Sequence, residues 1–97
     1  MDQLSEIANI LARLEDKELI QDFLTSILTP SEIKNISLRW ELVKRLYKGI
    51  SQRKIAGELY ISLCKITRGS KELKKEDSAL KRVIQEYNSW DMTNDPY

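Results

Sequence analysis

Apolar side chains in this chain recur at helical spacing over most of its length, and nowhere do they alternate with period two for long enough to form a strand. The fold class that follows is all-α. Ile7, Ile10, Leu11 and Leu14 place a first helix over about Ser5–Leu14, and Leu19, Ile20, Phe23, Leu24, Ile27 and Leu28 place a second over about Asp16–Leu28. Both faces are too apolar for a lone two-helix arm and call for a partner to cover them.

Helix starts and stops are written into the next segment. Thr29-Pro30-Ser31-Glu32 has the spacing of a capping box with Pro in the first helical position, so a long helix begins there and should run to Gly49. On it Ile33, Ile36, Trp40, Val43 and Tyr47 make one stripe and Leu38, Leu42 and Leu46 another, so apolar surface wraps much of the circumference. A helix that reads this way is central, as in a dimer. Ser51 is a natural N-cap for the following helix, and Ile50 before it can staple onto Ile55. That helix carries Ile55, Ala56 and Leu59, a turn falls at Tyr60-Ile61-Ser62, and another helix begins at Leu63 with Ser62 as its cap and Ile66 pointing inward. The spacing is that of a helix-turn-helix over about 51–75, with Ala56 letting the helices approach and Ile55, Leu59, Ile61 and Ile66 filling the wedge. An ordinary helical hairpin has the same pattern and stays open as the alternative. Tyr60 sits where such turns often take Gly, so it must adopt a less comfortable backbone or the turn must differ in shape.

Ninety-seven residues with 41% apolar side chains make one small domain, near the size at which a private core becomes marginal and oligomerisation helps. With no His and a single Cys64, the chain has neither the ligands for a zinc site nor the partner for an internal disulfide, so no metal is expected and a reduced, cytoplasmic protein is. No apolar run is long enough to span a bilayer and no secretory signal opens the chain, so no membrane partner is expected. Ser89–Tyr97, with Asn, Asp and Pro, reads as a frayed and disordered tail, leaving 1–88 as the single all-helical domain.

The net charge of +1 hides a division along the chain. Residues 1–32 carry −5 and residues 83–97 carry −3, while 44–82 hold twelve Lys and Arg against four Asp and Glu, a net +8. A basic region this concentrated is the footprint of polyanion binding, DNA or RNA, although solvated helix faces alone can look similar.

Ile66-Thr67-Arg68-Gly69-Ser70, followed by Leu73-Lys74, is the most specific stretch of the chain. Together with Ile27-Leu28-Thr29-Pro30-Ser31-Glu32, Arg39 inside the long helix, and Ser51-Gln52-Arg53, it resembles the Trp repressor family over roughly Phe23–Tyr87. The resemblance implies an intertwined all-helical homodimer with a helix-turn-helix reading head, whose long central helices cross and whose amino-terminal helices embrace the other subunit. It also implies L-tryptophan as corepressor, with no other cofactor. Carried onto matching positions, the ligand's indole lies between the guanidinium groups of Arg39 and Arg68, with Arg68 holding its carboxylate. Its ammonium meets backbone carbonyls near Leu28 and Thr29 of the other subunit, Val43 lines the site, and Gly69 leaves room for the ring. Glu72 departs from the family, which commonly has a small hydroxyl residue there. An acid at this place could occupy Arg68, engage the ammonium or favour another ligand. Taken singly, Arg39 could be a plain surface cation and Arg68 could pair with Glu72 one turn on.

For DNA, Gln52, Arg53 and Lys54 at a helix amino end can hold phosphates and reach the groove edge, while Leu63, Cys64, Lys65 and Thr67 occupy the first turns of the reading helix. Lys65 can donate to guanine, Thr67 can contact phosphate or base, and Lys71 and Lys74 add phosphate contacts with salt dependence. Cys64 reads as a small groove-facing side chain rather than a nucleophile, since no His exists to activate it, and no enzyme is expected. The expected function is a sequence-specific transcriptional repressor that binds operator DNA as a homodimer when loaded with L-tryptophan. The alternatives are a regulator of similar build that ignores tryptophan, for which Arg39→Ala leaves operator binding unchanged, and a basic helical DNA-binding module of replication-initiator type or a protein-interaction helical domain with a basic face, to which a monomer in light scattering points.

Overall fold

The computed structural model describes residues 2–94, with side chains through Ser89. Among them are six helices and no strand: α1 Gln3–Arg13, α2 Lys17–Ile27, α3 Pro30–Tyr47, α4 Gln52–Leu59, α5 Leu63–Lys74 and α6 Ala79–Asn94. The all-α expectation holds. The chain divides into two compact units, Met1–Asn35 and Ile36–Tyr97, with α3 contributing to both.

Each helix of the first unit starts on a side chain that satisfies an otherwise orphaned backbone N–H. Asp2 accepts from the Ser5 N–H at 2.7 Å, and Asp16 accepts from Glu18 and Leu19. The capping box of α3 closes in both directions: the Thr29 N–H donates to Glu32 Oε1 at 2.8 Å, and the Glu32 N–H donates to Thr29 Oγ1 at 3.1 Å. The first of these hydrogen bonds holds the Glu32 carboxyl below its ordinary range. No residue of α1 or α2 is buried. On their apolar stripes Leu4, Ile10, Leu19, Leu24 and Ile27 are exposed, from 76% down to 37%, while Ile7, Leu11, Ile20 and Phe23 are half-buried.

The second unit is organised by how α3 ends. The helix stops at Tyr47, two residues before the expected Gly49, because Gly49 takes φ +85. Its N–H donates to the Leu46 carbonyl at 3.0 Å and the Ile50 N–H donates to the Arg45 carbonyl at 3.2 Å. This paired arrangement is the Schellman motif, and glycine tolerates the left-handed residue that it requires. The turn delivers Ile50 onto a core of Leu42, Ile55 and Ile66, against which Leu46, Ala56, Leu59 and Ile61 also pack. Ile84 of α6 is fully buried as well.

Ser51 and Ser62 cap α4 and α5 as expected, accepting from the Lys54 and Lys65 N–H groups. Between the two helices Tyr60 adopts φ 55, ψ 42 and its N–H donates to the Ala56 carbonyl at 2.9 Å. The uncomfortable backbone expected at this residue is therefore the one it has. Buried Ser78 caps α6, accepting from the Lys81 N–H at 3.0 Å. That helix runs to Asn94, well into the stretch 89–97 read from composition as a frayed tail, and residues 95–97 lie outside the described residues.

Candidate ligand site and nucleic-acid interface

The α5 helix comes close to α3 at Gly69. A Cβ added at Gly69 would lie 3.2 Å from Leu42 Cδ2 and 3.3 Å from Leu46 Cδ1, closer than carbon atoms normally approach. The open side of Gly69, the residue expected to leave room for a ligand ring, faces two leucines of α3, and the glycine lets the two helices come this near. The approach also brings the segment carrying Arg68 to the turn of α3 that follows Arg39. Val43, expected to line the same place, is only 4% exposed and offers almost no surface of its own.

Arg39 and Arg68 are both exposed, and neither makes an ion pair or hydrogen bond among the described residues. The possible pairing of Arg68 with Glu72 does not form. Glu72 Oε1 accepts from Lys75 Nζ at 2.9 Å, one turn further along. Two guanidinium groups thus stay uncommitted, each with a full set of planar donors for a flat or anionic ligand. Leu28, half-buried, and Thr29, exposed, belong to the other unit, where Thr29 is engaged in the cap of α3.

The residues expected to meet DNA divide by environment. Arg53, Lys54, Leu63, Cys64, Lys65, Thr67, Lys71 and Lys74 are exposed, and Gln52 is half-buried. Thr67 Oγ1 donates to the Leu63 carbonyl at 2.8 Å and lies 3.4 Å from Gln52 Oε1, so the amino end of α4 and the second turn of α5 share one face. Arg53 and Lys54 stand on the first turn of α4, where the unsatisfied N–H groups add to the positive potential. Cys64 is a free, exposed thiol.

Not all of the basic segment is available to an anion. Lys44 and Arg45 both bind the Glu41 carboxylate, and Arg45 Nε reaches Glu58 Oε1 of α4 at 3.3 Å. The hydrogen bonds from Lys44 and then Arg45 hold the Glu41 carboxyl below its ordinary range, and the same contacts raise both bases. The chain of charges ties the last turns of α3 to α4. Its helical part was visible in the spacing of Glu41, Lys44 and Arg45, but reading the segment only for net charge passed over it. A second cluster was not anticipated: Trp40 and Tyr87 meet edge to face with centroids 5.3 Å apart, and Lys44 Nζ lies 5.5 Å from the Tyr87 ring centre. Among the described residues no group of His, Cys, Asp or Glu could hold a metal ion.

Comparison with known proteins shows the family of the chain. The Trp repressor protein family matches residues 2–88. The Trp operon repressor homolog of Chlamydia trachomatis serovar D is 31% identical over 77 residues, covering 78% of this chain and 82% of that protein. The homolog of the same name from Vibrio campbellii is 32% identical over 81 residues, covering 82% and 81%, and that from Actinobacillus succinogenes is 45% identical over 64 residues, covering 65% and 61%. No solved structure matches the chain. Since the matched stretch takes in α1 through α5 and much of α6, the chain belongs to the Trp repressor family.

Proposed function

We propose that this repressor binds operator DNA as a homodimer when loaded with L-tryptophan, with α4 and α5 forming its helix-turn-helix reading head. The observation that carries the reading is the pair of uncommitted guanidinium groups, Arg39 and Arg68, on two helices that Gly69 brings together. An indole held between flat cations gains stacking and cation–π attraction on both faces, and Arg68 can hold a carboxylate in its donor fork. Val43, Gly69 and Glu72, with the partner subunit's Leu28 and the partner subunit's Thr29, complete the proposed ligand environment.

The open stripes of α1 and α2 support a dimer. Apolar helices with no fully buried residue gain stabilisation from a second copy that covers them, and a chain this small needs that area. The shared face of Gln52 and Thr67, with Arg53, Lys54 and Lys65 exposed beside it, supports DNA as the polyanion: cations at the amino end of α4 fix the register on phosphates, and the first turns of α5 enter the groove. Lys71 and Lys74 extend the phosphate contacts. Ligand binding between α3 and α5 would fix the tilt of the reading head on the rest of the dimer, and so favour the DNA-binding form. No helix among the described residues is long and apolar enough to cross a membrane, and the proposal puts the protein in the cytoplasm with the DNA it reads.

The test is calorimetric titration of L-tryptophan into the apo protein and into Arg68→Ala. Saturable heat at about one ligand per chain, lost in the variant, is expected. No heat at several temperatures, with thermal stability unchanged in excess ligand, refutes control by tryptophan.

A further inference from the structure

Tyr60 combines two unfavourable features, of which only the first is eased locally, by the hydrogen bond from its N–H to the Ala56 carbonyl. Its backbone is left-handed, φ 55 and ψ 42, the only positive φ outside glycine among the described residues. The residue is 92% exposed, so its ring stands largely in water. A glycine would meet the same backbone geometry without the steric conflict between Cβ and carbonyl, and without an apolar ring in water. Residues that hold such a conformation with no packing to enforce their side chain are candidates for a contact outside the fold.

The position says what that contact is. Tyr60 lies two residues before Ser62, the cap of α5, and Leu63 in the first turn of that helix is itself 56% exposed. When the first turn of a reading helix enters the major groove, the chain leading into it passes beside the sugar–phosphate backbone at the groove edge. A tyrosine there offers a phenolic donor at the end of a rigid arm, with only two side-chain torsions to fix on binding. Tyrosine is among the side chains that donate to phosphate oxygens. We propose that the Tyr60 hydroxyl donates a hydrogen bond to a phosphate of the bound duplex, flanking the bases read by α5. This rests on the proposed DNA-binding function.

A phenol carries no charge, so the contact releases no counterion. That separates it from every lysine and arginine contact on the same surface. The test measures the affinity of the full-length, ligand-loaded wild type, Tyr60→Phe and Tyr60→Gly for an operator duplex and for an unrelated duplex across a range of salt concentrations. Tyr60→Phe is expected to bind about tenfold to a hundredfold more weakly, the scale of one hydrogen bond to a charged acceptor. The loss should be equal for both duplexes and leave the slope of log affinity against log salt unchanged. Tyr60→Gly should lose at least as much while melting no lower than wild type, which removes misfolding as a cause. Tyr60→Phe binding like wild type overturns the assignment while leaving DNA binding intact. So does a loss that changes the salt slope, or a change confined to oligomeric state in light scattering. A wild type that binds no duplex overturns the DNA-binding reading together with this one.

Discussion

Two helical glycines, Gly57 and Gly69, should respond to alanine in opposite ways. In an exposed helix interior Gly→Ala gains about 0.8–1.0 kcal/mol of propensity. At Gly57 a new Cβ meets nothing within 4 Å, so the gain should appear in full. At Gly69 the Cβ meets Leu42 Cδ2 at 3.2 Å and Leu46 Cδ1 at 3.3 Å. Carbon atoms pack best at roughly 3.5–4.0 Å, so both leucines must retreat by a few tenths of an ångström. Leu42 has little room, being 3% exposed and wedged with Ile55 and Ile66. Overpacking of a tight core costs about 1–3 kcal/mol, which cancels or exceeds the helix gain. Gly57→Ala should therefore be stabilised by about 1 kcal/mol, while Gly69→Ala is unchanged or destabilised by up to about 2 kcal/mol. For a chain of 97 residues each kcal/mol moves the melting temperature by about 4–8 °C. Melts should be run at one protein concentration, because dimerisation makes the midpoint concentration-dependent. If Gly69→Ala melts as high as Gly57→Ala, the leucines yield freely and the spacing of α3 and α5 is not set at this residue.

Two further perturbations test local arguments. Thr29→Ala removes the acceptor for the Glu32 N–H and should cost about 1 kcal/mol in a thermal melt, with Thr29→Ser restoring most of it. Glu41 has a folded-state pKa below its ordinary value, so the stability it contributes is present above the ordinary carboxylate range and is lost as pH falls through the lowered value. Denaturation midpoints of Glu41→Gln should therefore vary less between pH 5 and 3 than those of wild type; equal pH dependence would show that the contacts with Lys44 and Arg45 stabilise nothing, as exposed ion pairs often do not.

Features encoded within a turn or two of sequence are legible in the sequence alone. Thr29 with Glu32, Ser51 and Ser62 satisfy N–H groups two or three residues away, so identity and spacing suffice to locate the helix starts. The strained backbone of Tyr60 was legible for the same reason. What depended on packing was not. Gly69 is required in either reading, but only the placement of α3 shows that its open side faces Leu42 and Leu46. Glu72 sits at pairing distance in sequence from both Arg68 and Lys75, and the choice of Lys75 is made in three dimensions. The bridge from Arg45 to Glu58 joins two helices and has no sequence signature. In α6 the polar residues after Tyr87 suggested fraying, while the stripe of Leu80, Ile84 and Tyr87 anchors the helix that continues beyond them.

The edge-to-face meeting of Trp40 and Tyr87 has a spectroscopic consequence. At 5.3 Å, light absorbed by the Tyr87 ring passes to the Trp40 indole far faster than the phenol can emit, so tyrosine fluorescence from this residue is silent while α6 stays docked on α3. Undocking would restore it. The chain contains one other tryptophan, Trp90, and its replacement by Phe would leave Trp40 as the only indole of the protein. The contact between the central helix and the last one would then be readable without a label, through the loss of energy transfer as α6 departs.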